Sequence, residues 1–100
     1  MAITAPAQYV GEYKPHTVNF SANLETDETL VGVVITQSHS ASAVDLGIDP
    51  PTVEEGSAQV WISSVSPYGT AGYQYHVTYT ATTSLDKILV ECIDLTIKTC

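Results

Sequence analysis

The sequence predicts an all-β protein, specifically an antiparallel immunoglobulin-like β-sandwich of about seven strands, with a small barrel as the alternative. In residues 73–83, Tyr, Val and Ala alternate with Gln, His and Thr, and a period of two is typical of a half-buried strand. Six or seven short apolar runs are separated by clusters of Gly, Pro, Ser and Asp, the spacing expected of a sandwich. No segment carries a convincing helical pattern.

The first strands are predicted over Thr17–Ala22 and over Leu30–Gln37. The residues expected to face inward from the first strand are Val18, Phe20 and Ala22. The second strand is rich in β-branched residues, which favour strands, and Gly32 within it permits a bulge. The polar, acidic chain between the two strands is interpreted as a connection.

One strand is predicted before the tyrosine-rich strand and another after it. Pro50 and Pro51 cannot donate to a ladder, so the chain is expected to turn there before a strand over Ala58–Ser64. That strand is predicted to place Val60 and Ile62 on one face and Trp61 on the other. In the last strand, Ile88–Lys98, the apolar residues change parity, which predicts a bulge near Cys92.

Residues 1–14 are interpreted as an N-terminal arm and residues 15–100 as the sandwich domain. The arm contains Pro6 and Gly11 and lacks a sustained period, so we expect it to have no core of its own. Its larger apolar side chains would gain burial only against another surface. They are Ile3, Tyr9, Val10 and Tyr13.

Two more aromatic residues complete the predicted partner interface, because aromatic side chains are enriched at interfaces. Trp61 is expected on the outer side of its strand, and Tyr68 lies in a turn-rich connection. By contrast, the tyrosines of the alternating strand are expected to fill the core with their hydroxyls at its rim. They are Tyr73, Tyr75 and Tyr79.

Composition narrows the range of partners. One hundred residues with eleven Asp and Glu against three Lys and no Arg give a net charge of −8. Such a chain repels nucleic acid and anionic membranes, which leaves other proteins as the expected partners. No secretory signal or bilayer-spanning run is visible, so we expect the chain to stay in the cytoplasm of the cell that makes it until it joins an assembly.

No enzyme class is supported by the sequence, and no cofactor or metal is expected. The three histidines are not spaced as metal ligands and are interpreted as solvated, and the acidic connection lacks a calcium-loop pattern. A Gly-x-Ser-x-Gly elbow is absent. Cys92 has no basic neighbour in sequence to activate it, and we expect it and Cys100 to be free thiols because a continuous strand would hold them too far apart.

Four segments, in this order and spacing, resemble the small fibre-tail adaptor proteins of tailed bacteriophages over roughly residues 15–98. The segments are Asn19–Leu30 with its acidic approach to a strand, Val60–Ser63 with its valine–tryptophan pair, Gly72–Ser84 with its alternating tyrosines and Thr-Thr turn, and Ile93–Ile97. The chain departs from the family in having Phe20 where tryptophan is common and a longer middle section, His39–Gly56.

The resemblance implies a non-enzymatic virion protein of immunoglobulin-like fold that joins tail or baseplate proteins to tail fibres. It also implies an oligomeric state in the assembled particle and residence in the host cytoplasm before assembly. Two alternatives remain at this point: a capsid decoration protein, and a cell-encoded module that binds a peptide or a carbohydrate.

Overall fold

A computed structural model describes residues 2–4, by their backbone, and residues 8–99. These residues form nine strands and one turn of 3₁₀ helix, Ser21–Asn23. The strands are β1 (Ala2–Thr4), β2 (Gln8–Tyr9), β3 (Tyr13–Asn19), β4 (Leu30–Ser38), β5 (Gly47–Ile48), β6 (Thr52–Glu54), β7 (Ser57–Ser63), β8 (Gln74–Thr83) and β9 (Ile88–Lys98).

The strands make two sheets. The larger sheet has the order β1-β9-β8-β4, with β2 also beside β9, and the smaller has the order β3-β7-β5, with β6 also beside β7. All pairs are antiparallel except those of β1 and β2, which run parallel to β9. The all-β, two-sheet prediction is therefore confirmed, whereas the immunoglobulin-like connectivity stays a prediction. The strand count exceeds seven because short pairings form around Pro50 and Pro51 and before β3, where the sequence has no period.

One hydrophobic core lies between the sheets. The smaller sheet contributes Val18, Val60 and Ile62 to the core, and the larger sheet contributes Tyr75, Val77, Tyr79 and Leu95, among others. The hydroxyl of Tyr75 donates to the carbonyl of Val44 at 2.6 Å, and that of Tyr79 donates to the carbonyl of His16 at 3.1 Å. Both rings are fully buried, so these bonds remove the cost of burying a polar hydroxyl.

Three local predictions have different outcomes. The bulge at Gly32 is confirmed, because the β4–β8 register shifts between Leu30 and Gly32. The bulge near Cys92 is wrong: β8 and β9 pair without a shift from Gln74 to Thr82. The even-numbered residues of β9 simply face outward, and their apolar character misled the interpretation. Ala22 is also wrong as an inward residue, because the chain leaves the sheet after Asn19 and enters the 3₁₀ turn.

The chain before residue 15 is joined to both sheets. The proposed boundary between arm and domain falls inside β3, which begins at Tyr13. Gln8 is fully buried, and its amide nitrogen donates to the carbonyls of Glu12 and Ile62, both at 3.0 Å. Residues 8–14 thus fold with the sandwich, because backbone and side-chain hydrogen bonds supply the attachment that apolar periodicity does not.

Candidate partner-binding surface

The outer side of the smaller sheet carries an aromatic pair. Odd-numbered positions of β3 and β7 face away from the core, since the even-numbered positions of both strands are the more buried. Tyr13 and Trp61 therefore point to solvent, 50% and 38% exposed. Their ring centroids lie 5.0 Å apart at an interplanar angle of 33°, a favourable separation for an aromatic pair. Pro15, directly opposite Trp61 in the register, continues the apolar surface.

Tyr68 joins the same side of the sheet from a loop. Gly47 of β5 is opposite Ser63 of β7, which is in turn opposite Tyr13 of β3. A Cβ placed on Gly47 would lie 2.9 Å from Cδ2 of Tyr68, so the tyrosine ring covers the outer side of this glycine. We call Tyr13, Trp61 and Tyr68 the aromatic face. Gly47 is required there because any larger residue would displace the Tyr68 ring.

The aromatic face is bordered by acidic groups. The hydroxyl of Tyr13 donates a hydrogen bond to the carboxylate of Asp49, and this bond, with smaller contributions from burial and the negative charge, raises the pKa of Tyr13. The amide of Asp49 donates to the carbonyl of Trp61 at 3.1 Å. Glu54 lies on the same side, since its partner Ser57 shares the parity of Trp61. Among the described outward positions of β3, β5, β6 and β7 there is no lysine.

The remaining predicted interface residues lie elsewhere. Tyr9 and Val10 are exposed, but they belong to the chain beside the end of β9, where the amide of Val10 donates to the carbonyl of Lys98 at 2.9 Å. The backbone of Ile3 pairs with Ile93 in the larger sheet, and its side chain lies outside the described part of the structure. The fold thus brings together three of the six predicted residues: Tyr13, Trp61 and Tyr68.

The outer side of the larger sheet carries a second surface that the sequence interpretation missed. Val34, Ile88 and Val90 are 64%, 70% and 54% exposed. Val34 and Val90 flank Thr80 in one cross-strand row, and Ile88 follows beside Thr82 in the next. We call Val34, Ile88 and Val90 the aliphatic face. The apolar even-numbered positions of β9 were the available signal, but the change of parity was interpreted as a bulge near Cys92.

Candidate metal ligands do not cluster in the described part of the chain. The described residues contain no group of three or more His, Cys, Asp or Glu side chains placed to hold a metal ion. Cys92 is free and half-buried, and its sulfur lies 3.5 Å from Oγ1 of Thr78 on the outer side of the larger sheet. No described helix is both long and apolar enough to cross a bilayer.

The sequence matches the model of a known protein family. The family model of the podophage GP4 fiber-tail adaptor protein gp77 matches residues 8–96. A comparison with curated proteins gave no match. The matched range includes β2 to β8, most of β9, and every residue of the aromatic face and the aliphatic face. The fibre-tail resemblance of the sequence is therefore confirmed, and the chain belongs to the gp77 family of podophage fibre-tail adaptor proteins.

Proposed function

We propose that the chain is a non-enzymatic structural protein of a podophage virion, where it joins tail or baseplate proteins to tail fibres. Membership of the fibre-tail adaptor family over residues 8–96 carries this proposal. Before assembly the protein would reside in the host cytoplasm, and in the particle it would be part of an oligomeric assembly. The family favours a tail position over capsid decoration.

The distribution of exposed apolar residues supports a role in joining two partners. The aromatic face lies on the outer side of the smaller sheet and the aliphatic face on the outer side of the larger sheet. Because the core lies between the sheets, the two faces point in opposite directions. A protein that connects two others needs separate contact surfaces of this kind.

The aromatic face is the better candidate for a tightly bound contact. Tyr and Trp dominate the energetics of many interfaces, since their large rings lose little conformational entropy when they are buried. Here the ring of Tyr13 is already held by Trp61 and Asp49, and Tyr68 is seated on Gly47. Binding would therefore order few new rotamers, which lowers the entropic cost of association.

Replacement of the aromatic pair tests the proposal. The variant carrying Tyr13→Ala and Trp61→Ala should fold, because both side chains are on the outer side of the sheet, yet particles made with it should lack fibres or lack the chain. Gln59→Ala, on the same side of β7, is the control. Fibre content would be measured by gel analysis and electron microscopy of purified particles. Normal fibred particles from a folded double variant would contradict a contact through this face, and absence of the wild-type chain from particles would contradict the adaptor role.

A further inference from the structure

One long edge of the larger sheet is open. Strand β4 pairs with β8 on one side, and no strand among the described residues pairs with its other side. In an antiparallel strand, alternate residues direct their N–H and C=O groups away from the single partner. Edge strands are usually protected by charges, proline or a bulge. Residues 30–38 contain no charge or proline, and the bulge between Leu30 and Gly32 lies before residues 33–37. The edge from Val33 to Gln37 is therefore chemically suited to accept another strand.

A groove follows this edge. It has a volume of about 610 Å³ and lies between β4, from Val33 to Gln37, and the segment from Ile48 to Pro51. Pro50 and Pro51 have no N–H to donate, so the far wall cannot complete the ladder of β4. The wall instead offers apolar contact. An extended segment lying in the groove would hydrogen bond to β4 on one side and pack against the prolines on the other.

The charge of the groove favours a cationic segment as its occupant. Asp49 is the one charged residue among those that line it, and it is exposed. Its carboxylate accepts a hydrogen bond from the neutral hydroxyl of Tyr13, but it forms no ion pair among the described residues, whereas Lys14 and Lys87 form ion pairs with Glu12 and Glu28. A segment with a lysine or arginine beside Asp49 would complement this charge, and a guanidinium could also reach the nearby rings of the aromatic face.

A second copy of the chain fits this groove less well. Strand β4 carries no cation that could approach the Asp49 of another molecule. Two chains that each carry a net charge of −8 also repel one another at close range. The chemistry of the groove therefore points to a different protein.

We infer that the β4 groove is the docking site for an extended segment of another virion protein, which adds a strand to the larger sheet and places a lysine or arginine at Asp49. Such strand addition draws affinity from main-chain hydrogen bonds and specificity from alternate side chains. The inference rests on the proposed virion role, and it identifies where and how one of the joined proteins is held.

Site-specific crosslinking in assembled particles tests the inference. The photocrosslinker benzoylphenylalanine would replace Thr36, which is exposed on β4, and, as a control, Gln74. Gln74 is also exposed, but it lies at the start of β8 opposite Thr96, away from both the groove and the aliphatic face. An added strand would place its side chains within about 5 Å of position 36. We expect position 36 to crosslink to one extended segment of a different protein that contains Lys or Arg, and position 74 not to do so.

Charge variants give a second measurement. Thr36→Lys should lower incorporation into particles by about tenfold or more, since an edge lysine opposes strand addition and repels a cationic segment, whereas Gln74→Lys should not. Crosslinks from position 36 to a second copy, or none in particles that contain the chain, would overturn the inference and leave the adaptor role standing. Absence of the chain from particles would overturn both.

Discussion

Two buried polar clusters hold the loops of this protein, and they differ in charge. In the first, the neutral cluster, Gln8 joins His16 of β3 and Ser64 after β7. In the second, the ionic cluster, Glu28 before β4 accepts hydrogen bonds from Thr83 and Lys87 near the β8–β9 turn, at 2.5 and 2.9 Å. Each connects segments that are more than 45 residues apart in the sequence.

The two clusters solve the same problem by different means. A buried amide needs partners for its donors and its acceptor, and Gln8 finds four: the carbonyls of Glu12 and Ile62, the hydroxyl of Ser64, and the imidazole of His16. Because the Gln8 oxygen accepts, Nε2 of His16 donates to it, and burial lowers the pKa of His16, which favours the neutral ring. The ionic cluster depends on a carboxylate, so its contribution to folding stability should fall when acid protonates that group. The neutral cluster contains no carboxyl group.

The largest expected effect of a single substitution is that of replacing Gln8. Gln8→Ala would leave the carbonyl of Ile62, the hydroxyl of Ser64 and Nε2 of His16 with fewer partners inside the protein. Unsatisfied buried groups of this kind are costly, and we expect a loss of about 2–4 kcal/mol in the free energy of unfolding. Urea denaturation would measure it, with the exposed Gln74→Ala as the control. Equal stability of the two variants would show that Gln8 does not anchor the N-terminal segment.

The same cluster changes the expectation for an N-terminal truncation. If residues 1–14 were an independent arm, their removal would leave a stable domain, but it would delete Gln8, β2 and the first two residues of β3. We expect the truncated protein to be more destabilised than Gln8→Ala. Circular dichroism and urea denaturation would measure the difference. A truncated protein as stable as the full chain would support the independent arm. Whether this segment contacts a partner stays a prediction.

The contrast also explains what the sequence could predict. Periodicity identified β8 and β7, because alternation reports burial directly, and it placed Trp61 correctly on an outer face. Periodicity could not identify Gln8 as buried, since the segment around it, with Pro6 and Gly11, has no alternation of apolar and polar residues. Nor could it predict that Tyr68 would cover Gly47 or that Val34 and Val90 would share a row. Those contacts depend on register and on loop paths set by tertiary packing.

A smaller effect is expected at the ionic cluster. Burial by itself would raise the pKa of Glu28, but hydrogen bonds from the hydroxyl of Thr83, the amide of Glu25 and the ammonium of Lys87 outweigh it and lower the pKa to about 2. The folded pKa is thus below the ordinary value of 4.5. The carboxylate therefore stabilises the fold above pH 4.5, and this contribution is lost as the pH falls towards 2.

Glu28→Gln should remove that acid-dependent contribution. The variant should be less stable than the wild type at pH 7, and its stability should change less between pH 4.5 and pH 2. Urea denaturation across this range would measure both differences. Glu25→Gln, an exposed neighbour, should retain the wild-type slope. An unchanged slope for Glu28→Gln would mean that the Lys87 and Thr83 contacts add nothing to folding stability.

The smallest effects concern two histidines whose pKa values move in opposite directions. Burial, with a smaller contribution from the charge of Lys14, lowers the pKa of His16 below 6.5. The hydrogen bond to Asp45, followed by that to the carbonyl of Ser40, raises the pKa of His39 above 6.5. Between its folded pKa and 6.5, His16 binds fewer protons in the folded than in the unfolded state, so its contribution to stability falls as the pH drops through this range. His39 stabilises the fold below 6.5 and loses that contribution as the pH rises through its folded pKa.

Titration of the imidazole signals by NMR would separate the two histidines. We expect the His16 resonance to titrate below pH 6.5 and the His39 resonance above it. Asp45→Asn should move only the His39 midpoint downward, because the Nε2 of His39 lies 2.5 Å from Oδ1 of Asp45, whereas His16 belongs to the neutral cluster. If His16 instead titrated above about pH 7, the charged form would predominate within the fold at neutral pH. Its Nε2–H bond to Gln8 would then be charge-assisted, and the distinction between the neutral cluster and the ionic cluster would fail.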